Sequence, residues 1–217
     1  MIATLRQIPL FHGLSDEELG HIEASAAART YAKSTVIIQE GEPGSSMYLL
    51  IQGRVKVFVG DISGKEYILA VLGPGEYVGE LALLDDEPRT ASVETEEQST
   101  FLVFQKDDFL SLLHKHPNIQ FKVLVNLVRR TRHLTEAVKN LALKDVYSRV
   151  RLLLDDLAIE RDGMRQIDEP MTQQAIADRV GSSREMVARI MKELVFGGYV
   201  RIENRRLILI QRLPEAF

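Results

Sequence analysis

Between Thr35 and Gln105 glycines at 41, 44, 53, 60, 64, 73 and 75 cut the chain into short runs of alternating apolar and polar residues. The runs are Thr35–Ile38, Ser46–Ile51, Arg54–Val59, Lys65–Val71, Ala91–Glu94 and Thr100–Gln105. A period of two means strands, and glycine between runs supplies the turn conformations other residues resist. Many short strands with regular turns predict a sandwich or jelly roll. Asp61-Ile62-Ser63-Gly64 is the expected tip of one hairpin.

The pattern changes on both sides. Residues 3–30 read as helical, with Ser15 and Glu18 forming a capping box. Pro117 closes the β region and opens a helix over about 118–143. Along it a heptad seam places Leu124, Thr131 and Val138 at a and Leu127, Leu134 and Leu141 at d. A seam of that length with no neighbouring helix to cover it predicts a parallel coiled-coil dimer. A helix follows over 146–160 and stops at Arg161-Asp162-Gly163. Another starts at the cap Thr172, then a four-residue turn with Gly181, then a helix capped by Ser183. Val200–Ile202 and Leu207–Ile210 flank a hairpin at Glu203-Asn204-Arg205-Arg206. The expected class is α+β, in three parts: a β jelly roll in 1–117, a dimer helix and hinge in 118–145, and a winged helix-turn-helix in 146–217.

Composition removes several classes. The absence of cysteine excludes disulfides, thiolate-held iron–sulfur clusters and a cysteine nucleophile. Met1-Ile2-Ala3-Thr4-Leu5-Arg6 has no basic region followed by a long apolar core, so no signal peptide is expected. No apolar run is long enough for a membrane span, and a cytoplasmic location is expected. The first 117 residues carry 9 basic and 18 acidic side chains, whereas Arg184 to Arg206 carries 6 basic and 3 acidic. Contact with nucleic acid is therefore expected at the back of the chain.

Two stretches carry chemistry. In Gly79-Glu80-Leu81-Ala82…Pro88-Arg89-Thr90-Ala91, backbone N–H groups at the start of a short helix suit an anion. Arg89 adds a guanidinium and Thr90 a hydroxyl donor for a phosphate, and Glu80 is an acceptor for a ribose hydroxyl. In the second stretch, Val187, Ile190 and Leu194 form the buried stripe of the last helix. Arg184, Glu185 and Arg189 then project from its other side, as a recognition helix requires. Arg grips guanine O6 and N7, and Glu accepts from cytosine N4. Arg205 and Arg206 would be the wing's phosphate contacts.

An eight-stranded β domain with this cassette, a dimer helix, and a winged helix carrying Ser-Arg-Glu-x-Val-x-Arg resembles the cyclic-AMP receptor protein/FNR superfamily of bacterial transcription regulators. The resemblance covers essentially the whole chain, and Gly41, Gly53, Gly64, Gly75 and Gly79 match the family's barrel turns. It implies a cyclic-nucleotide-binding domain whose site takes in Gly79, Glu80, Leu81 and Ala82. It assigns Glu80 to the ribose 2′-hydroxyl, and Arg89, Thr90 and the N–H of Ala82 to the cyclic phosphate. Arg130 matches an arginine that reaches the pocket near Glu80. Leu134 and Thr135 stand where cyclic-AMP receptors carry two adjacent hydroxyl residues that contact adenine, so one hydroxyl is missing here. The DNA-facing set is Thr172, Gln173, Ser183, Arg184, Glu185, Arg189, Arg205 and Arg206.

The implied protein is a homodimeric regulator on a near-palindromic double-stranded operator, controlled by cyclic AMP, with cyclic GMP or cyclic di-GMP as alternatives. RNA polymerase is a possible partner, and no catalytic or metal site is expected. The competing readings are a regulator with another ligand or none, and a metal-dependent jelly-roll enzyme, which needs about three ligands inside the barrel, whereas the ligand-like His114 and His116 sit after it.

Overall fold

The computed structural model describes residues 2–161, 163–203 and 206–215. The chain divides into two compact units. One comprises residues up to 59 together with 68–132, and the other 60–67 together with 133 onward.

The first unit opens with α1 (Ile2–Gln7), a 3-10 turn (Pro9–Phe11) and α2 (Asp16–Ala24). The capping box forms: Ser15 Oγ accepts the Glu18 N–H at 3.3 Å and Glu18 Oε2 accepts the Ser15 N–H at 2.7 Å. The helical expectation then fails, because Ala26–Tyr31 is strand β1. Its register runs antiparallel to β8 (Ser99–Gln105), from Ala26 opposite Phe104 to Tyr31 opposite Ser99. An alanine-rich run favours helix only weakly, and sheet pairing overrides it.

The remaining strands are β2 (Val36–Ile38), β3 (Ser46–Gln52), β4 (Val55–Gly60), β5 (Glu66–Leu72), β6 (Tyr77–Val78) and β7 (Ser92–Thr95). They make two four-stranded sheets, β1-β8-β3-β6 and β2-β7-β4-β5, the expected jelly-roll arrangement. β3 and β8 are buried on both faces. Met47, Leu49, Leu102 and Phe104 pack against Leu5, Phe11, Leu19 and Phe109 of the helices. Leu50, Phe101 and Val103 alternate to the other side and meet Ile38, Val55 and Val93 between the sheets. That double burial explains the unbroken apolar run Phe101–Phe104. A helix not foreseen from sequence, α4 (Lys106–Lys115), completes the helical layer. Gly41, Gly53, Gly64, Gly75 and Gly79 all have positive φ. Short α3 (Leu81–Leu84) follows Gly79.

α5 (Pro117–Leu143) starts on proline, whose missing N–H costs nothing in a first turn. Only Ile119 and Val123 of this helix are buried, and Phe121, Leu124, Val128, Leu134 and Val138 are exposed.

In the second unit α6 (Val146–Leu157) is capped by Asp145, whose Oδ1 accepts the Ser148 N–H at 2.7 Å. The helix ends before the expected residue 160, because Ile159–Arg161 is β9, paired with β10 (Met164–Ile167). Then come α7 (Gln173–Val180), α8 (Arg184–Phe196), β11 (Val200–Glu203) and β12 (Arg206–Leu209). The sheet order is β11-β12-β10-β9. The connection of α7 to α8 is the three residues Gly181–Ser183, one fewer than expected, because Gly181 turns the chain at once in the left-handed region (φ 66°). Val150, Leu154, Ile176, Ala177, Val187 and Leu194 are central to the core of this unit.

Candidate functional site

In the first unit four consecutive residues, Tyr77-Val78-Gly79-Glu80, hold two arginines from distant parts of the sequence. Arg89 donates through Nη1 to the Gly79 carbonyl and through Nη2 to the Ser46 carbonyl, both at 2.6 Å. Arg130 of α5 donates through Nη1 to Glu80 Oε1 at 2.7 Å and through Nη2 to the Tyr77 carbonyl at 2.5 Å. Its guanidinium also lies 5.3 Å from the centre of the Tyr77 ring, within cation–π range. The strand β6 and the turn after it therefore fix both guanidinium groups by backbone acceptors, which are insensitive to side-chain motion.

The slot for Arg89 is made by two glycines. A Cβ on Gly44 would fall 2.5 Å from the Arg89 guanidinium carbon and 2.8 Å from Ala82 Cβ. A Cβ on Gly79 would fall 2.6 Å from Arg89 Nη1, and Gly79 has φ 87° besides. Neither site admits a side chain while Arg89 stays in place. The Arg89 backbone is pinned as well, its N–H donating to the Glu42 carbonyl and its carbonyl accepting from the Gly41 N–H, each at 2.9 Å. Gly44 and Ser46 read from sequence only as a turn and a strand start, and Tyr77 carried no signal as a site residue. The Gly-Glu-Pro-Gly turn at 41–44 was the available signal for the first of them.

Glu80 and Arg89 are both buried, at 1% and 8% exposure. Charged groups are rarely so deep unless paired. Burial pushes the Glu80 carboxyl above the usual range, against the pull of Arg130 and, more weakly, Arg89. Burial likewise lowers Arg89, against the pull of Tyr48 and Glu80. Glu80 Oε2 is buried with no hydrogen-bond partner. An acceptor left open in a buried cation-rich site is a place for a donor such as a ribose hydroxyl. Ala82 is buried and Gly79 half-buried, while Leu81 and Thr90 are exposed. In α3 the amides of Leu83 and Leu84 donate to the Glu80 carbonyl, at 3.1 and 3.2 Å, and those of Leu81 and Ala82 open the helix. Leu134 and Thr135 lie on α5 in the second unit, both exposed.

His114 and His116 do not converge. His114 Nδ1 lies 2.7 Å from the Leu110 carbonyl, and His116 Nδ1 lies 3.3 Å from Glu18 Oε1. Among the described residues no three His, Cys, Asp or Glu side chains form a metal-binding group. Among them, too, no helix is long and apolar enough to cross a membrane.

In the second unit both caps form as hydrogen bonds. Thr172 Oγ1 accepts the Ala175 N–H at 3.0 Å and Ser183 Oγ accepts the Met186 N–H at 3.2 Å. Val187, Met191 and Leu194 are buried on the inner side of α8, with Ile190 half-buried beside them. Arg184, Glu185 and Arg189 are exposed on the other side. The Glu185 carboxyl sits below its usual range, held there by its own backbone amide and the Ser183 hydroxyl. Thr172, Gln173 and Arg206 are exposed, and Arg206 pairs across the hairpin with Glu203. Asn204 and Arg205, the predicted wing tip, lie outside the described residues.

Comparison with known proteins matches both units. The model of the cyclic nucleotide-binding domain covers residues 28–116, and that of the Crp-like helix-turn-helix domain covers 148–215. The chain is 32% identical to the cyclic AMP receptor protein of Thermus thermophilus, over 94% of this chain and 96% of that protein. It is 33% identical to the cAMP-activated global transcriptional regulator CRP of Escherichia coli, over 82% of this chain and 87% of that protein. Among solved structures, the c-di-GMP responsive global regulator CLP of Xanthomonas campestris superposes with a TM-score of 0.80 at 25% identity, covering 91% of this chain and 100% of that one.

Proposed function

The chain belongs to the cyclic AMP receptor protein/FNR family of DNA-binding transcription regulators, and from that premise we propose a homodimer whose DNA affinity is tuned by a cyclic nucleotide at Glu80, Arg89 and Thr90. The observation that carries the reading is the buried Glu80 carboxylate oxygen without a partner, beside a guanidinium held between two glycines. A ribose hydroxyl satisfies the first and a cyclic phosphate the second. In this reading the amides at the start of α3 and the exposed Thr90 hydroxyl complete the phosphate cradle.

Cyclic AMP is the effector we propose, the one named in the relatives from Thermus thermophilus and Escherichia coli. Cyclic di-GMP, named for the Xanthomonas campestris regulator, is the alternative that Leu134 keeps open, because leucine offers no hydrogen bond to a purine edge.

At the other end, Arg184, Glu185 and Arg189 read bases in the major groove. Thr172, Gln173, Ser183 and Arg206 position the backbone. The exposed seam of α5 pairs two copies, and a two-fold dimer sets half-sites about 34 Å apart. The coupling is a population shift: nucleotide at Glu80 changes what Arg130 holds, and Arg130 sits on the dimer helix.

The test is calorimetric titration with cyclic AMP, cyclic GMP and cyclic di-GMP. Arg89→Ala is a poor probe, since it takes the donor away from the half-buried Gly79 and Ser46 carbonyls. Thr90→Val removes a hydroxyl donor from an exposed residue and leaves the fold alone. One nucleotide per chain, bound more weakly by Thr90→Val, supports the assignment; heats unchanged by that substitution refute it.

A further inference from the structure

Tyr48 brings a polar group to the Arg89 site that none of the contacts above uses. It stands on β3 two residues after Ser46, whose carbonyl holds Arg89, so the Ser46 and Tyr48 side chains share one face of the strand. That face looks between the two sheets, where Tyr48 packs on the cluster containing Ile38, Leu50 and Phe101. Ile38 also borders the Arg89 slot, its Cδ1 lying 3.1 Å from where a Cβ on Gly79 would fall. Burial lowers the basicity of Arg89, and the nearby Tyr48 phenol opposes that change more than Glu80 does.

The ring of Tyr48 is fixed. Its centroid is 6.0 Å from that of Phe101 at an interplanar angle of 88°, and Tyr31 meets the same Phe101 edge-on at 5.8 Å. Edge-to-face pairs of this kind are favourable, and Phe101 is fully buried. The Tyr48 hydroxyl, in contrast, has no hydrogen-bond partner among the described residues and is not sealed from solvent. A donor on a fixed ring has lost its freedom of movement before any ligand arrives, so little is lost when it binds.

Resting on the cyclic-nucleotide reading above, we propose that Tyr48 is a further contact to the cyclic phosphate, its hydroxyl donating to an exocyclic oxygen beside Arg89. Arg89 uses two of its N–H donors on the Gly79 and Ser46 carbonyls, and the others remain for a ligand. A guanidinium accepts no hydrogen bond, so the phenol proton is free for an anion that Arg89 also faces. The cyclic ester bears a single negative charge, which the Arg89 guanidinium matches. A neutral phenol adds a donor there without burying a second cation, which would be costly.

Tyr48→Phe deletes the hydroxyl, keeps the ring on Phe101 and breaks no hydrogen bond of the folded chain. The nucleotide-free parent and variant, their folds compared by circular dichroism, are titrated calorimetrically with cyclic AMP and with its Rp and Sp phosphorothioates. In these compounds sulfur, a weak acceptor, replaces one or the other exocyclic oxygen. The expected loss of cyclic AMP affinity in Tyr48→Phe is about tenfold. The ratio of Rp to Sp affinity should also shift by at least about threefold, because only one of the two oxygens faces Tyr48. Tyr31→Phe, which alters the other phenol packed on Phe101, should change neither quantity. A loss in Tyr48→Phe with an unchanged ratio, or an equal loss in Tyr31→Phe, shows a packing effect and overturns the contact. Undiminished affinity in Tyr48→Phe overturns it too, and leaves the nucleotide reading standing. Failure of the parent to bind cyclic AMP overturns the proposed effector together with the contact.

Discussion

Replacing Arg130 by methionine tests the electrostatics of the pocket. Glu80 is 1% exposed and Arg130 is its only charged hydrogen-bond partner among the described residues. Without that guanidinium the buried carboxylate keeps only the weaker pull of Arg89, and the folded chain keeps it protonated. Holding a carboxyl neutral at pH 7.5, about 3.2 pH units above the free-glutamate value of about 4.3, costs at most about 4.4 kcal/mol at about 1.36 kcal/mol each. The Arg130 side chain is 32% exposed, so solvent already screens part of the pair. We expect a loss of about 2–3 kcal/mol at pH 7.5, of which about 1 kcal/mol is the hydrogen bond to the Tyr77 carbonyl.

The sign with pH follows. Glu80 has a raised carboxyl in the folded state, so the folded chain holds the proton more tightly than the unfolded chain. The penalty is absent below the unfolded value and grows as pH rises toward the folded one. Arg130→Met should therefore differ from the parent by only about 1 kcal/mol at pH 4.5 and most at pH 7.5. Adding Glu80→Gln should recover most of the loss at pH 7.5. Urea denaturation followed by circular dichroism at the two pH values is the assay. A deficit independent of pH, or one that Glu80→Gln leaves in place, refutes the reasoning.

Gly44→Ala should cost about 1–3 kcal/mol by overpacking, and should abolish nucleotide binding because Arg89 must leave its slot; calorimetry on the folded variant checks both. Ser183→Ala removes the α8 cap and should lower stability by about 1 kcal/mol in thermal unfolding, with nucleotide affinity unchanged. Replacing Arg184 should cost about 1–3 kcal/mol and relax specificity at one guanine, measured by binding to a panel of duplexes; a uniform loss across the panel indicates a phosphate contact instead.

The elements read correctly from sequence are those with a local signal. Glycine punctuation, a capping box at Ser15 and caps at Thr172 and Ser183 act within a few residues. Those missed depend on partners far along the chain. β1 is strand because β8 pairs with it, and β9 and β10 exist because β12 supplies an edge. β6 is only two residues, too short for any period, yet it delivers the Tyr77 carbonyl to Arg130. α4 is amphipathic, but Pro117 drew the boundary away from it. The pocket behaves the same way. Glu80 and Arg89 were legible as types of residue in a cassette. The use of Gly44 as a wall of the Arg89 slot was not, since it takes a loop more than forty residues earlier in the chain.

The central claim is that the N-terminal unit holds a cyclic nucleotide through Glu80 and a glycine-walled Arg89. Its most direct test is calorimetry of nucleotide-free protein with cyclic AMP beside 2′-deoxy cyclic AMP. One site per chain is expected for cyclic AMP, with the deoxy compound at least about tenfold weaker because Glu80 loses the hydroxyl donor that its open oxygen accepts from. Equal affinity for the two compounds would contradict it, as would no heat with cyclic AMP, cyclic GMP or cyclic di-GMP.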